Sequence, residues 1–308
     1  MRDQLAVQRF GPSEWLLSAV LSLTWGSSFL LIAVAIEYVD PALVPFGRAI
    51  LGGLALALFP GARDRVARTD LPRIAVLGLV WMALPFWLFP LAEQTVTSGI
   101  AGMINGGLPV VMACVTALWL RRTPSRSRVI AIAIGFAGIV TISWPAIQST
   151  SDSGEPIADV RGMAFLFVAV TCYAIGANTA RPLQVKYSPA RLLMRVQFAA
   201  ALWSLPVAIP GVQTSEFAWQ AGLAVLVLGV VGTGIAFVAF GTLLERTGIT
   251  RAMIPTYFTP IVGLLLGTMF RGEHIAVASV AGMCVVIFSA WLTSKPDDRD
   301  VMLSDATR

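Results

Sequence analysis

Ten apolar runs, each close to the length that crosses a bilayer, constrain this chain more than any other feature. A helix traverses ~30 Å of hydrocarbon with about 20 residues. The runs are Trp15–Ile36, Ala42–Phe59, Leu71–Leu91, Val96–Leu120 and Val129–Ala146, then Gly162–Ala180, Leu192–Pro210, Phe217–Leu244, Ala252–Phe270 and Ala276–Ser294. The segments between them are short and rich in charge, Pro and Gly. Unpaired backbone polar groups are too costly in lipid, so each run is expected to be a helix. Alternating segments of about ten residues, which would mark a membrane β-barrel, are absent. The fourth run is the least regular, holding Gly99, Gly102, Asn105, Gly106, Gly107 and Pro109. The first run exceeds the roughly 7–15 apolar residues of a signal peptide and is read as a span, not a cleaved leader.

Composition agrees. Charged residues make up 13% of the chain and hydrophobic residues 56%, with a mean hydropathy of +0.78. A soluble domain carries about 25% charged residues, so this chain has too little polar surface to coat a water-soluble globule. The three cysteines, Cys114, Cys172 and Cys284, each lie inside an apolar run, which gives no disulfide framework or thiolate cluster. A single histidine, His274, leaves no His-rich metal site. Neither lysine, Lys186 or Lys295, follows a glycine, so a phosphate-binding Walker loop is missing. No cofactor and no metal site is expected.

The basic residues set an orientation. Of the 22 lysines and arginines, nineteen fall on the side of the two termini, Arg161 and Arg271 fall on the other, and Arg48 lies within a run. The positive-inside rule then places both termini in the cytoplasm of a cell inner (plasma) membrane. The net charge of +5 divides into +10 inside, −6 outside and +1 for Arg48. The high pI therefore implies no nucleic-acid partner; the expected partners are the lipid bilayer and a small-molecule substrate.

The two halves resemble each other at an offset of about 150 residues. Trp25-Gly26 matches Tyr173 with Gly176, and Pro41 with Arg48 matches Pro189 with Arg195. Asn105-Gly106-Gly107-Leu108-Pro109 matches Thr256-Tyr257-Phe258-Thr259-Pro260. Five spans per half is an odd number, so equivalent helices would cross in opposite directions. The expected fold is an all-α integral membrane protein of ten transmembrane helices in two inverted five-helix repeats, with the site near the midplane between them. The divisions are a cytoplasmic segment 1–14, repeats 15–146 and 161–294, an outer polar linker 147–160 and a cytoplasmic tail 295–308.

The block Thr24-Trp25-Gly26-Ser27-Ser28-Phe29, followed by Pro41 and Arg48, resembles the opening of an EamA domain of the drug/metabolite transporter superfamily. The block Gly248-Ile249-Thr250-Arg251-Ala252, running through Pro260 to Gly272-Glu273, is similar to its later part. The resemblance implies a ten-helix carrier of amino acids, metabolites, nucleotide sugars or drugs. One departure stands out: where the second repeat has Gly272-Glu273, the first has Arg121-Arg122.

Polar residues inside the runs are the candidate site. Arg48 costs at least ~2.5–3.5 kcal/mol to insert and must pair, snorkel or line a wet cavity. It is suited to hold a carboxylate through two parallel bonds. The competing reading is a structural ion pair near the outer surface with Glu37, Asp40 or Glu93; its position seven residues after Pro41 favours that reading. Asn105 needs a partner in lipid, and the glycines around it suit close helix packing. Trp25 and Ser28 in the first run, Trp81 in the third, Tyr173 and Asn178 in the sixth, and Thr256 and Tyr257 in the ninth would converge on one pocket if the repeats face each other. Phe86 and Trp87 would add walls; Gln197 and Thr233 are weaker candidates. Glu93, Glu273 and His274 lie at outer helix ends, and the lack of a mid-span carboxylate favours a facilitator or exchanger over strong proton coupling. No constellation for an intramembrane enzyme is visible, so the expected function is secondary transport, as an exporter, by alternating access, with a channel as the alternative.

Overall fold

In the computed structural model each apolar run is helical, the fourth in two pieces, and the helices of the first half pack mainly on those of the second. The structure describes residues 11–121, 124–148, 158–216, 218–247 and 249–293, with the backbone alone at 249 and 250. The helices are α1 (Pro12–Ile36), α2 (Leu43–Ala57), α3 (Arg68–Ala92), α4 (Ser98–Asn105), α5 (Leu108–Trp119) and α6 (Arg126–Gln148). They continue with α7 (Val160–Lys186), α8 (Pro189–Thr214), α9 (Trp219–Thr247), α10 (Ile254–Arg271) and α11 (Val277–Thr293). Among the described residues there is no sheet, only an isolated bridge between Val96 and Ala158.

Six of these helices, α1, α3, α6, α7, α8 and α9, are long and apolar enough to cross a membrane, and the bent pair α4–α5 makes a seventh. The outer surface is apolar as a bilayer requires: Val140 is 61% exposed, Leu202 71% and Met269 73%. The irregular fourth run is broken, its two pieces meeting at 40° across Gly106 and Gly107. Pro109 lies in the first turn of α5, where its missing N–H has no partner to lose.

α2 packs on α8 and α9, α1 on α10, α4 on α10, α3 and α5 on α7, and α6 on α11. With no hydrophobic drive between helices in lipid, these contacts depend on small residues and interhelical hydrogen bonds. The α6–α11 pair shows both. A Cβ on Gly138 would lie 3.0 Å from the Gly282 carbonyl, and one on Gly282 would lie 2.8 Å from the Gly138 carbonyl. Ser279 Oγ donates to Ile142 O at 3.0 Å, and Ser289 Oγ donates to Ala131 O.

Two helices carry π-helical segments, Gly78–Ala83 in α3 and Val227–Ile235 in α9, which begin 149 residues apart. π segments add a residue to the turn and occur frequently at functional sites.

The segment 147–160 was expected to be a polar linker. Its part at 149–157 lies outside the described residues, as do residues 1–10 of the expected terminal segment 1–14 and the whole expected tail 295–308. The end of the linker is fixed. Ala158 N donates to Ala146 O at 3.1 Å, and Asp159 caps α7 by accepting from Gly162 N and from Thr95 Oγ1.

Candidate functional site

The polar centre of the helix bundle is built around Arg48. Its residue is 7% exposed. Nε donates to Thr233 Oγ1 at 3.0 Å, and the guanidinium carbon lies 4.0 Å from the centre of the Phe86 ring. Thr233 is held in place by the second π segment: its hydroxyl donates to Leu228 O, five residues back, at 2.9 Å. The terminal guanidinium nitrogens make no hydrogen bond among the described residues.

The position corrects the expected shallow ion pair. Thr233 is the midpoint of α9, so Arg48 reaches the middle of a 29-residue helix and not its outer end. Glu37 is engaged with Arg271 at 2.5 Å, and Asp40 accepts from Ala42 N and Thr214 Oγ1, so neither is the partner of Arg48. Glu93 is within electrostatic range of Arg48 without bonding to it. The sequence signal misled because α2 is short, and the long Arg side chain reaches α9 from near the start of its own helix.

Aromatic rings surround this group. Trp25 lies 6.2 Å from Phe237 and 5.4 Å from Phe240, ring centre to ring centre, and Trp81 lies 6.4 Å from Phe237. Phe89 contacts Phe29 at 5.6 Å and Tyr173 at 6.0 Å. Tyr173 is the midpoint of α7 and is within electrostatic range of Arg48. Its hydroxyl makes no hydrogen bond among the described residues. Trp81 belongs to the first π segment and packs so closely on α7 that a Cβ on Gly176 would lie 2.4 Å from its own Cβ. Ser28 Oγ donates to Thr24 O and faces Gly232, the neighbour of Thr233.

The structure thus gathers Trp25, Ser28, Arg48, Trp81 and Tyr173 on contacts with α3, α7 and α9. Other candidates are engaged elsewhere. Asn178 exchanges hydrogen bonds with Thr116 at 3.0–3.1 Å and donates to Ala174 O, which ties α7 to α5. Thr256 Oγ1 donates to Met253 O, and Tyr257 OH donates to Ala290 O at 3.5 Å, towards α11. Asn105 ends α4 at the helix break, half-buried, with no side-chain hydrogen bond among the described residues. Beside it, Gly106 packs on Pro260, where an added Cβ would meet the ring at 2.8 Å. Sequence reasoning missed Phe237, which sits one helical turn after Thr233 and so shares its face. Gln197 is fully buried, and neither polar atom of its amide has a partner among the described residues.

The Gly-Glu departure also has a structural meaning. Glu273 accepts from Ser98 N at 2.8 Å, Ser98 Oγ at 2.6 Å and Gly99 N at 2.7 Å, capping the start of α4 from the far half of the chain. Gly272 turns left-handed there at φ 62°, and Arg121 makes the matching turn at φ 50° despite its Cβ. Arg122 lies outside the described residues. A groove of about 520 Å³ lined by Cys114, Leu118, Arg121, Val129 and Ile132 is open and apolar, and Arg48 does not line it.

Comparison with known proteins agrees with this architecture. The EamA-like transporter family model matches the chain twice, over residues 13–144 and 160–295. A transporter of Archaeoglobus fulgidus, itself uncharacterized, is 23% identical, covering 91% of this chain and 98% of its own length. The uncharacterized inner membrane transporter YedA of Escherichia coli K12 is 25% identical, over 89% and 88%. A probable terminal-alkyne amino-acid exporter of Streptantibioticus cattleyicolor is 24% identical, over 82% and 83%. A crystal structure with 18% identity superposes with a TM-score of 0.64 over 92% of this chain and 98% of that one. The long apolar helices and the inner membrane transporter among the relatives mark a multi-pass membrane protein. This chain belongs to the EamA-like transporter family, and it is a transporter of small substrates, not a channel.

Proposed function

We propose that the protein exports a small solute that joins a carboxylate to an apolar or aromatic body, an amino acid being the simplest case. The observation that carries this reading is the Arg48 guanidinium: buried at mid-helix depth, bonded among the described residues through Nε alone, and within electrostatic range of Tyr173, whose hydroxyl has no hydrogen bond among them. A planar fork with free terminal nitrogens matches a carboxylate bidentately. Phe86, Trp81, Trp25 and Phe237 would receive the apolar body, and the Ser28 hydroxyl, whose proton is given to Thr24 O, would add an acceptor. Asn105 at the helix break and Thr256 and Tyr257 on α10 complete the site in a second conformation; Asn178 keeps its place as a helix tie. The amino-acid exporter among the relatives supports this substrate class.

The working architecture is ten spans in two inverted repeats, 15–146 and 161–294, with both termini in the cytoplasm and alternating access between the halves. Two family matches of similar length and two π segments 149 residues apart support the repeat. The nineteen-to-two division of basic residues supports the orientation.

Counterflow in proteoliposomes tests the reading. Vesicles loaded with unlabelled amino acids should accumulate labelled amino acid transiently, and Arg48→Gln should abolish the accumulation. Flux that never saturates and shows no trans-stimulation would refute a carrier.

A further inference from the structure

Glu93 closes the end of α3 and is 9% exposed. Among the described residues both of its carboxylate oxygens are buried and accept no hydrogen bond. The Thr97 hydroxyl, four residues further along the same loop, is also buried with no partner among them. An ionised carboxylate in such a place is costly enough that the group takes up a proton instead. Burial raises the proton affinity of Glu93 most and Glu273 adds to it, while Arg271 and Arg48 oppose it.

The charged groups around it come from several elements. Arg271 ends α10 and Glu273 follows it, and Arg48 reaches over from α2. Arg271 is shared with Glu37 at the end of α1. Asp159 sits beside Thr95 at the start of α7 and has its own donors in Thr95 and Gly162. His274 follows Glu273 in the chain. Glu273 contrasts with Glu93, since three donors from Ser98 and Gly99 occupy its oxygens. Those three bonds latch the loop that carries Glu93 to the end of α10.

We propose that Glu93 is a proton-binding site of the transport cycle and that the Glu273–Ser98–Gly99 latch controls its access to water. With the latch closed, as here, Glu93 is sealed and neutral. When the bonds to Glu273 break, water reaches Glu93, and its proton passes to that water as hydronium. The carboxylate left behind lies in the field of Arg48 and competes with a solute carboxylate for the guanidinium. The return step takes a proton from water before the latch recloses. The place of this site in a cycle rests on the transport reading above; the protonation and its gating do not.

The test needs no solute. Infrared difference spectra of the full-length protein in lipid vesicles at neutral pH, recorded on exchange from H2O to D2O, report neutral carboxylic acids directly. The wild type should show such a band. Glu93→Gln should remove it, Glu93→Asp should move it, and Glu37→Gln should leave it in place. Ser98→Ala removes a donor to Glu273 and should speed deuterium exchange of the band about tenfold or more. A missing band in the wild type, a band indifferent to both Glu93 variants, or an exchange rate unchanged by Ser98→Ala overturns the proposal. A band abolished by replacing potassium with sodium assigns the site to the metal ion and overturns it as well. A normal result here together with failed counterflow would refute the substrate reading and leave the proton site standing.

Discussion

Arg48 and Thr233 lie 185 residues apart and are joined by a 3.0 Å hydrogen bond from Nε to Oγ1. The bond ties α2 to the π segment of α9. Thr233→Val keeps the shape and removes the acceptor, stranding a buried charged donor. The expected cost is about 1.5–3 kcal/mol, read from thermal or denaturant unfolding in detergent. In a double-mutant cycle, Arg48→Met should cost less in the Thr233→Val background than in the wild type.

The close approach of Gly176 to Trp81 gives a second prediction. A Cβ at Gly176 would lie 2.4 Å from the Trp81 Cβ, an atom fixed to the backbone, so α3 and α7 must move apart to admit it. Gly176→Ala should lose about 1–3 kcal/mol of stability. Gly222→Ala, where an added Cβ meets nothing within 4 Å, is the control and should leave the unfolding midpoint little changed.

The helix ends differ between the halves. Arg121 and Gly272 both take a positive φ, and only glycine does so without a Cβ penalty. Arg121→Gly should stabilise the protein by up to ~1 kcal/mol, and Gly272→Ala should destabilise it by ~1–2 kcal/mol. Thermal midpoints of the two variants in the same detergent should shift in opposite directions.

Tyr187 and Lys186 both bond to Asp70 Oδ2 at 2.6 Å, but in different surroundings. The Lys186 side chain is 51% exposed, whereas Tyr187 is buried and also accepts from Ala67 N at 3.0 Å. Solvent screening makes Lys186→Met the smaller loss of the two. Tyr187→Phe removes a buried hydrogen bond to a carboxylate and should cost about 1–3 kcal/mol. Equal losses in unfolding experiments would contradict this assignment.

How much was legible in the sequence varies with the range of the interaction. Hydropathy accumulates over about 20 neighbouring residues, so each apolar run announced its helix, with ends displaced by a few residues. The break at Gly106-Gly107 was visible as glycines beside Pro109, and Gly106 against Pro260 fits the packing reading of those residues. Asp159 had no such signal, because its cap of α7 and its bond to Thr95 depend on how two distant loops meet. The π segments at Gly78–Ala83 and Val227–Ile235 have the composition of any apolar helix, so nothing in the pattern revealed the shift that positions Trp81 and Thr233. Arg48 stood out as a charge within a run, yet its depth depends on Thr233 and Phe86, which are distant in sequence and ordinary in type. Glu273 was visible as half of a Gly-Glu pair, and its role required the start of α4, 175 residues away.

The central claim is that Arg48 receives the carboxylate of a transported solute. Competition in counterflow tests it most directly. Labelled amino acid uptake into preloaded vesicles is challenged with free amino acids and with their carboxamides, which keep the body and lose the negative charge. The account predicts that the free acids compete and the carboxamides do not, and that this discrimination is lost when Arg48 is replaced by Gln. Equal competition by acid and carboxamide in the wild type would contradict it.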